Sequence, residues 1–310
     1  MEHTHCNKQN TNDHFTDGSA RLKFLTTLST RVNKPANQDA YVYALSAVAT
    51  NQIALEAYPA ARKDLDTCER ILDTFDRVEP SVHAAFYRTL SRYHQTQSDF
   101  TAYYRTTLLY LACVELDDLS LEYKQSIAYD LSLAALVSET LYNFGELLLH
   151  PILSTLQSTP HAWLRDLLFA FNRGDLNAYH SLLAANSTRL PPILRQHSTA
   201  LHQKISLAAL TQLVFSRPPS DRAMTFTTIS EETKVALDEI EHLIMKALSL
   251  GLVRGVIDQV EGVARISWVQ PKVLEKDGVE GLRGRLEEWS AGVERLGGWV
   301  EGVGVGVWSA

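Results

Sequence analysis

The sequence predicts a mainly α-helical protein: a degenerate, TPR-like helical-repeat solenoid, then a winged helix, then a C-terminal helix that needs a partner. Three observations carry that reading. From residue 37 to about 215, apolar residues recur at helical spacing between short breaks, with almost no period-2 alternation. After Pro218-Pro219 the texture changes to short β-branched runs set around compact helices. Near the C-terminus the apolar residues fall on a seam narrower than the stripe of a helix lying on its own core.

Residues 1–36 are polar, with Lys34-Pro35 as a breaker, and are expected to form a disordered tail. Met1 to about Gly18 in particular offers too little apolar surface to offset the entropy of ordering. The helical arm spans 37–200. Tyr41, Ala44, Leu45, Val48 and Ala49 share a face and continue into Ile53 and Leu55, and Pro59 marks a boundary. Leu65, Cys68, Ile71, Leu72 and Phe75 make a second helix, and Pro80 opens a third. Ser98-Asp99 reads as the N-cap of a fourth. Leu121–Val137, Phe144–Leu156, Trp163–Phe171, Leu176–Ala185 and about Ser198 to Phe215 follow. Helices paired by short turns stack so that each pair covers its neighbour's apolar face. No strict 34-residue consensus emerges, so the repeat is degenerate.

The winged helix spans 201–274. Thr225–Ile229 reads as a strand, and Ser230 as the cap of a helix whose first turn holds Glu231 and Glu232. Asp238 opens the next helix, with Ile240, Leu243, Ile244, Ala247 and Leu248 inward and Gly251 as its stop. Val253–Ile257 and Val263–Val269 form a hairpin.

The partner helix spans 275–301. Leu282, Leu286, Trp289, Val293, Leu296 and Val300 are spaced 4-3-4-3-4, an a/d seam. Gly281, Gly284, Gly292, Gly297 and Gly298 interrupt it. At about 1 kcal/mol each relative to alanine, they oppose an isolated helix by on the order of 5 kcal/mol. The helix should form only against another chain or its own domain. Residues 302–310 (GVGVGVWSA) read as a flexible tail.

Bulk properties narrow the function. The 310 residues carry a net charge of −7 and a pI near 5.9, which argues against nucleic-acid binding through the overall field. Cys6, Cys68 and Cys113 form neither a disulfide framework nor a CxxC pattern, which fits a reducing compartment. No apolar run reaches the roughly 20 residues that span a bilayer, and the N-terminus lacks a signal's apolar stretch. Cytoplasm and nucleus are expected.

Motifs that suggest chemistry have simpler readings. His3-Thr4-His5-Cys6 opens like a zinc motif, but the serine and aspartate it next requires are replaced by Asp13 and Thr16. Arg173-Gly174-Asp175 reads as a helix stop followed by a cap rather than an adhesion tripeptide. Gly302-x-Gly304-x-Gly306 lacks the strand and helix of a dinucleotide loop. His180-Ser181 with Asp166 lacks the G-x-S-x-G elbow of a hydrolase. No catalytic residue, cofactor, metal or small-molecule substrate is expected. The second helix of a winged helix can enter a DNA groove, but here it opens with Asp238, Glu239 and Glu241, which phosphates repel.

Three stretches resemble a known family: HAWLRDLLFAFNRGDL (161–176), ISLAALTQLVF (205–215), and 229–274, which contains DEIEHLIMKALSLGLVRG and IDQVEGVARISWVQPKVL. Together they are similar to the PCI module of proteasome lid subunits of the non-ATPase regulatory subunit thirteen type, and the similarity is dense from about residue 40 to 275. The resemblance implies a helical-repeat arm, a PCI winged helix, a C-terminal helix joining a bundle shared by the lid subunits, and no catalysis. The polar start and the glycine-rich end depart from that pattern. Expected contacts are the seam and the hairpin, with Arg265, Ile266 and Trp268. The alternatives are a PCI subunit of the signalosome or of translation initiation factor three, or a nucleic-acid-binding winged helix.

Overall fold

The computed structural model describes residues 17–35, 37–75, 79–218, 221–271 and 276–308. The first helix, α1 (Gly18–Val32), corrects the expected tail over 1–36, of which residues 1–16 lie outside the described residues. Asp17 caps it by accepting the amide of Ser19 at 3.0 Å. Leu22, Leu25, Ser29 and Val32 face inward at 3-4-3 spacing. A serine holds the most buried of those positions, satisfied by the Thr26 carbonyl at 2.9 Å, and this hides the apolar period.

α2 (Gln38–Ala54), α3 (Tyr58–Leu72) and α4 (Pro80–Thr96) build a first core around Val42, Leu45, Leu65, Cys68 and Phe86. Leu55 and Phe75, expected within the apolar faces, lie beyond the helix ends and are exposed. α5 (Phe100–Cys113) is capped by Asp99, which accepts the amide of Ala102 at 3.0 Å. α6 (Leu121–Val137) follows. The helix expected over 144–156 divides into α7 (Gly145–Leu149) and a 3-10 segment (Pro151–Ser158), because Pro151 cannot supply the amide that a continuous helix requires. α8 (Ala162–Arg173), α9 (Leu176–Ala185), α10 (Pro192–Gln196) and α11 (Ser198–Ser216) complete the run. A second core extends from Ala84 to Ala209.

Between α8 and α9, Gly174 adopts φ +68 and Asp175 accepts the amides of Asn177 and Ala178. The arrangement is a stop followed by a cap. A Cβ on Gly174 would lie 2.7 Å from Ala209 Cα and 2.9 Å from the Ala208 carbonyl oxygen of α11. Backbone on one side and a left-handed φ on the other leave no room for a side chain. Gly174→Ala is expected to cost about 2 kcal/mol in chemical denaturation.

The last globular part has the order α11, β1 (Ala223–Thr225), α12 (Phe226–Thr233), α13 (Ile240–Ser249), β2 (Val253–Asp258), β3 (Val263–Val269), which is a winged helix. The strands run antiparallel in the order β1-β3-β2. The expected strand over 225–229 is corrected: the strand ends at Thr225, whose hydroxyl caps α12 by accepting the amide of Thr228 at 3.3 Å. Glu231 and Glu232 therefore fall at the end of α12, not in its first turn, and Ser230 donates to the Val235 carbonyl at 2.6 Å. A third core, with Leu207, Leu210, Val214, Ile229, Ile240, Ile244 and Ile266, fills this unit. α11 belongs to two cores, since Leu201, Ile205 and Ala209 face the arm.

α14 (Lys276–Trp308) is one helix of 33 residues, so the flexible tail expected over 302–310 is corrected as far as Trp308.

Candidate protein-interaction surfaces

The hairpin shows why a two-residue period misled. Val256 pairs with Arg265 and Gly255 with Ile266, but Arg254 pairs with Trp268, leaving Ser267 without an opposite residue. This bulge re-aims the strand. Ala264 and Ile266 point into the core, and beyond the bulge Val269 does so too, while Trp268 turns outward beneath the Arg254 guanidinium, 4.7 Å from its ring centroid. Ile266, expected at an interface, is 4% exposed and is removed from that surface. Arg265 and Trp268 stay on the outer face. The bulge depends on Gly255, where a Cβ would run into the Arg265 carbonyl.

Several cations of the winged helix are engaged within the chain. Arg265 pairs with Glu261 at 2.7 Å and Asp258 at 3.6 Å. Lys246 donates to Gln203 Oε1 at 2.7 Å, and Lys234 donates to Asn177. α13 presents Glu241 in its first turn, with Asp238 and Glu239 just before it. That arrangement opposes the approach of phosphate. Of the imagined triad, Asp166 lies on α8, while His180 and Ser181 lie on α9, where Ser181 donates to the Ala178 carbonyl at 2.9 Å. His3, His5 and Cys6 lie outside the described residues. Among the described residues, no group of three or more His, Cys, Asp or Glu is placed to hold a metal, and no helix is long and apolar enough to cross a membrane.

All six seam residues of α14 are exposed, between 42% for Leu282 and 69% for Trp289. A Cβ at Gly281, Gly284, Gly292, Gly297 or Gly298 would meet nothing within 4 Å. Beside the seam, Arg283 pairs with Glu280 at 3.3 Å and Glu287 at 3.6 Å, both of which lie farther round the helix.

Sequence reasoning missed Lys204. Its side chain is 5% exposed and donates to the carbonyls of Ala135 and Ser138 at 2.7 Å and Leu136 at 3.2 Å. Tyr142 and Phe144 flank the ammonium, with ring centroids at 5.7 and 5.0 Å. Burial pushes its pKa down to about 7, and the three carbonyls keep the charged form competitive. On α11, it closes the C-terminus of α6 and ties arm to winged helix. A lone lysine in a helix carries no sequence signal for such a role.

The PSD13 N-terminal repeats match residues 8–168, and the PCI domain matches residues 183–268. A probable 26S proteasome regulatory subunit rpn9 of Schizosaccharomyces pombe is 39% identical over 286 residues, covering 92% of this chain and 74% of that protein. The chain belongs to the proteasome regulatory subunit 13 family. The family's 26S proteasome non-ATPase regulatory subunit 13 homolog B of Arabidopsis thaliana is 38% identical over 86% of this chain and 68% of its own. For the Saccharomyces cerevisiae subunit RPN9 the identity is 41%, over 80% of this chain and 63% of the relative. The chain thus spans between about three fifths and three quarters of its relatives' lengths. The match to the family's repeats starts at residue 8, so it takes in most of the polar start expected to depart from the family pattern. Similarity to subunit M of eukaryotic translation initiation factor 3 of Aspergillus fumigatus is weaker, 28% over 53% of this chain.

Proposed function

We propose that the chain is a non-catalytic structural subunit of the proteasome's regulatory-particle lid, supporting ubiquitin-dependent degradation through protein contacts in cytoplasm and nucleus. The observation that carries this reading is α14, a family member's helix whose six apolar seam residues are all exposed among the described residues. A soluble surface rarely leaves so long an apolar row unpartnered. The seam Leu282, Leu286, Trp289, Val293, Leu296 and Val300 docks in a helical bundle of lid subunits, and the hairpin face with Arg265 and Trp268 meets a neighbouring PCI module. The acid-rich start of α13 and the engaged cations favour protein over nucleic acid as partner. The arm 37–200 and the winged helix 201–274 act as scaffold, with no cofactor, membrane or small-molecule substrate.

Affinity purification of the tagged full chain with mass spectrometry tests the proposal. Stoichiometric recovery of proteasome lid subunits is expected. Recovery of translation initiation factor three or signalosome subunits in their place would overturn it, as would recovery of the chain without lid subunits.

A further inference from the structure

The end of α11 leaves its last turn short of donors. Arg217 departs in an extended conformation, ψ 143, and the sequence continues with Pro218 and Pro219, which have no N–H to return to the helix. Ser216 itself donates to the Leu213 carbonyl at 2.8 Å, and further donors come from α14. One terminal nitrogen of Arg285 donates to the Phe215 carbonyl at 3.0 Å and the other to the Ser216 carbonyl at 2.7 Å. The guanidinium carbon lies 5.6 Å from the Phe215 ring centroid. A planar cation spanning consecutive carbonyls fixes orientation as well as distance, and it sits at the negative end of the helix dipole.

Arg285 is half-buried while nearly all of α14 around it is exposed. It flanks the seam one turn before Trp289. Val300, at the seam's far end, lies 15 residues beyond it, about 22 Å along the axis. A small angular error at Arg285 therefore becomes a displacement of several ångströms where the seam ends.

We infer that Arg285 is a positioning residue whose clamp on the C-terminus of α11 aims α14 and presents the seam in one direction. This rests on the reading of the seam as the docking helix, but its test does not require the lid. Spin labels at Val260→Cys and Ser290→Cys, with Cys6 and Cys113 replaced by serine, report the angle between winged helix and α14 in the free full chain. A single narrow distance distribution is expected, broadening about twofold in Arg285→Ala. Arg285→Lys, whose single ammonium cannot span both carbonyls in a plane, should fall between, and it serves as the main variant if Arg285→Ala loses helical circular dichroism. A broad distribution in the unsubstituted chain, or variants as narrow as that chain, would overturn the clamp. Failure to join the lid with these distributions intact would instead count against the docking reading alone.

Discussion

Replacing Leu286 and Trp289 together with glutamate is expected to abolish recovery of lid subunits with the tagged chain. The two side chains are 57% and 69% exposed, so folding stability should change by less than about 0.5 kcal/mol. In a packed bundle the same positions are desolvated, and burying an unpaired carboxylate costs several kcal/mol. Losing a tryptophan anchor adds about 2 kcal/mol or more. Together they imply at least about a thousandfold weaker association. The control is away from the seam: Glu287→Ala removes only a solvated pair with Arg283 and should leave recovery unchanged. Normal lid recovery with the double glutamate variant would mean that the seam is not the docking surface.

Lys204→Met is expected to destabilise the fold by about 3 kcal/mol, measured by chemical denaturation. Methionine fills the volume but leaves the carbonyls of Ala135, Leu136 and Ser138 without their buried donor. Relief of the ammonium's desolvation offsets part of that loss. The pH dependence identifies the residue. Unfolded, Lys204 keeps its proton up to the ordinary 10.5; folded, it releases it near 7. Between those values the unfolded chain binds more protons, so this residue makes stability rise with pH. From about pH 9 an opposing contribution sets in, because burial pushes the Cys68 thiol up from 9.0 to about 12 and the folded chain then holds an extra proton; it offsets the Lys204 rise up to about 10.5, above which stability falls. Lys204→Met should remove the rise between pH 7 and 9 and make the fall begin near 9 instead of near 10.5.

Helix positions in the arm were readable wherever a capping side chain and an apolar period agreed. Leu121–Val137 and Leu176–Ala185 fall where the sequence put them, with Ser120 and Asp175 accepting the first free amides. The failures have local causes. α1 was hidden by Ser29 at a buried position, and α12 by a run of four threonines and serines, any of which suits a cap; the hydrogen bond goes to Thr225. At the hairpin, alternation alone puts Ile266 and Trp268 on one face, and only the unpaired Ser267 separates them. The seam was legible because it needs nothing but spacing. Arg285 and Lys204 were not, since each acts on carbonyls 66 to 70 positions away in the chain, and no local pattern encodes that separation.

Because α11 lends one side to the arm and the other to the winged helix, the chain has no clean place to be cut. A fragment that stops before Ser198 would expose Leu167, Phe171 and their neighbours where Leu201 and Ile205 had lain. One that starts there would carry those same leucine and isoleucine side chains naked into water. Inheritance faces the same constraint as cloning: an ancestor could trade this repeat array for another only by keeping the shared helix and re-fitting half of its surface. Arm and wing are thus a married pair, able to diverge in their outer faces but not to exchange partners freely.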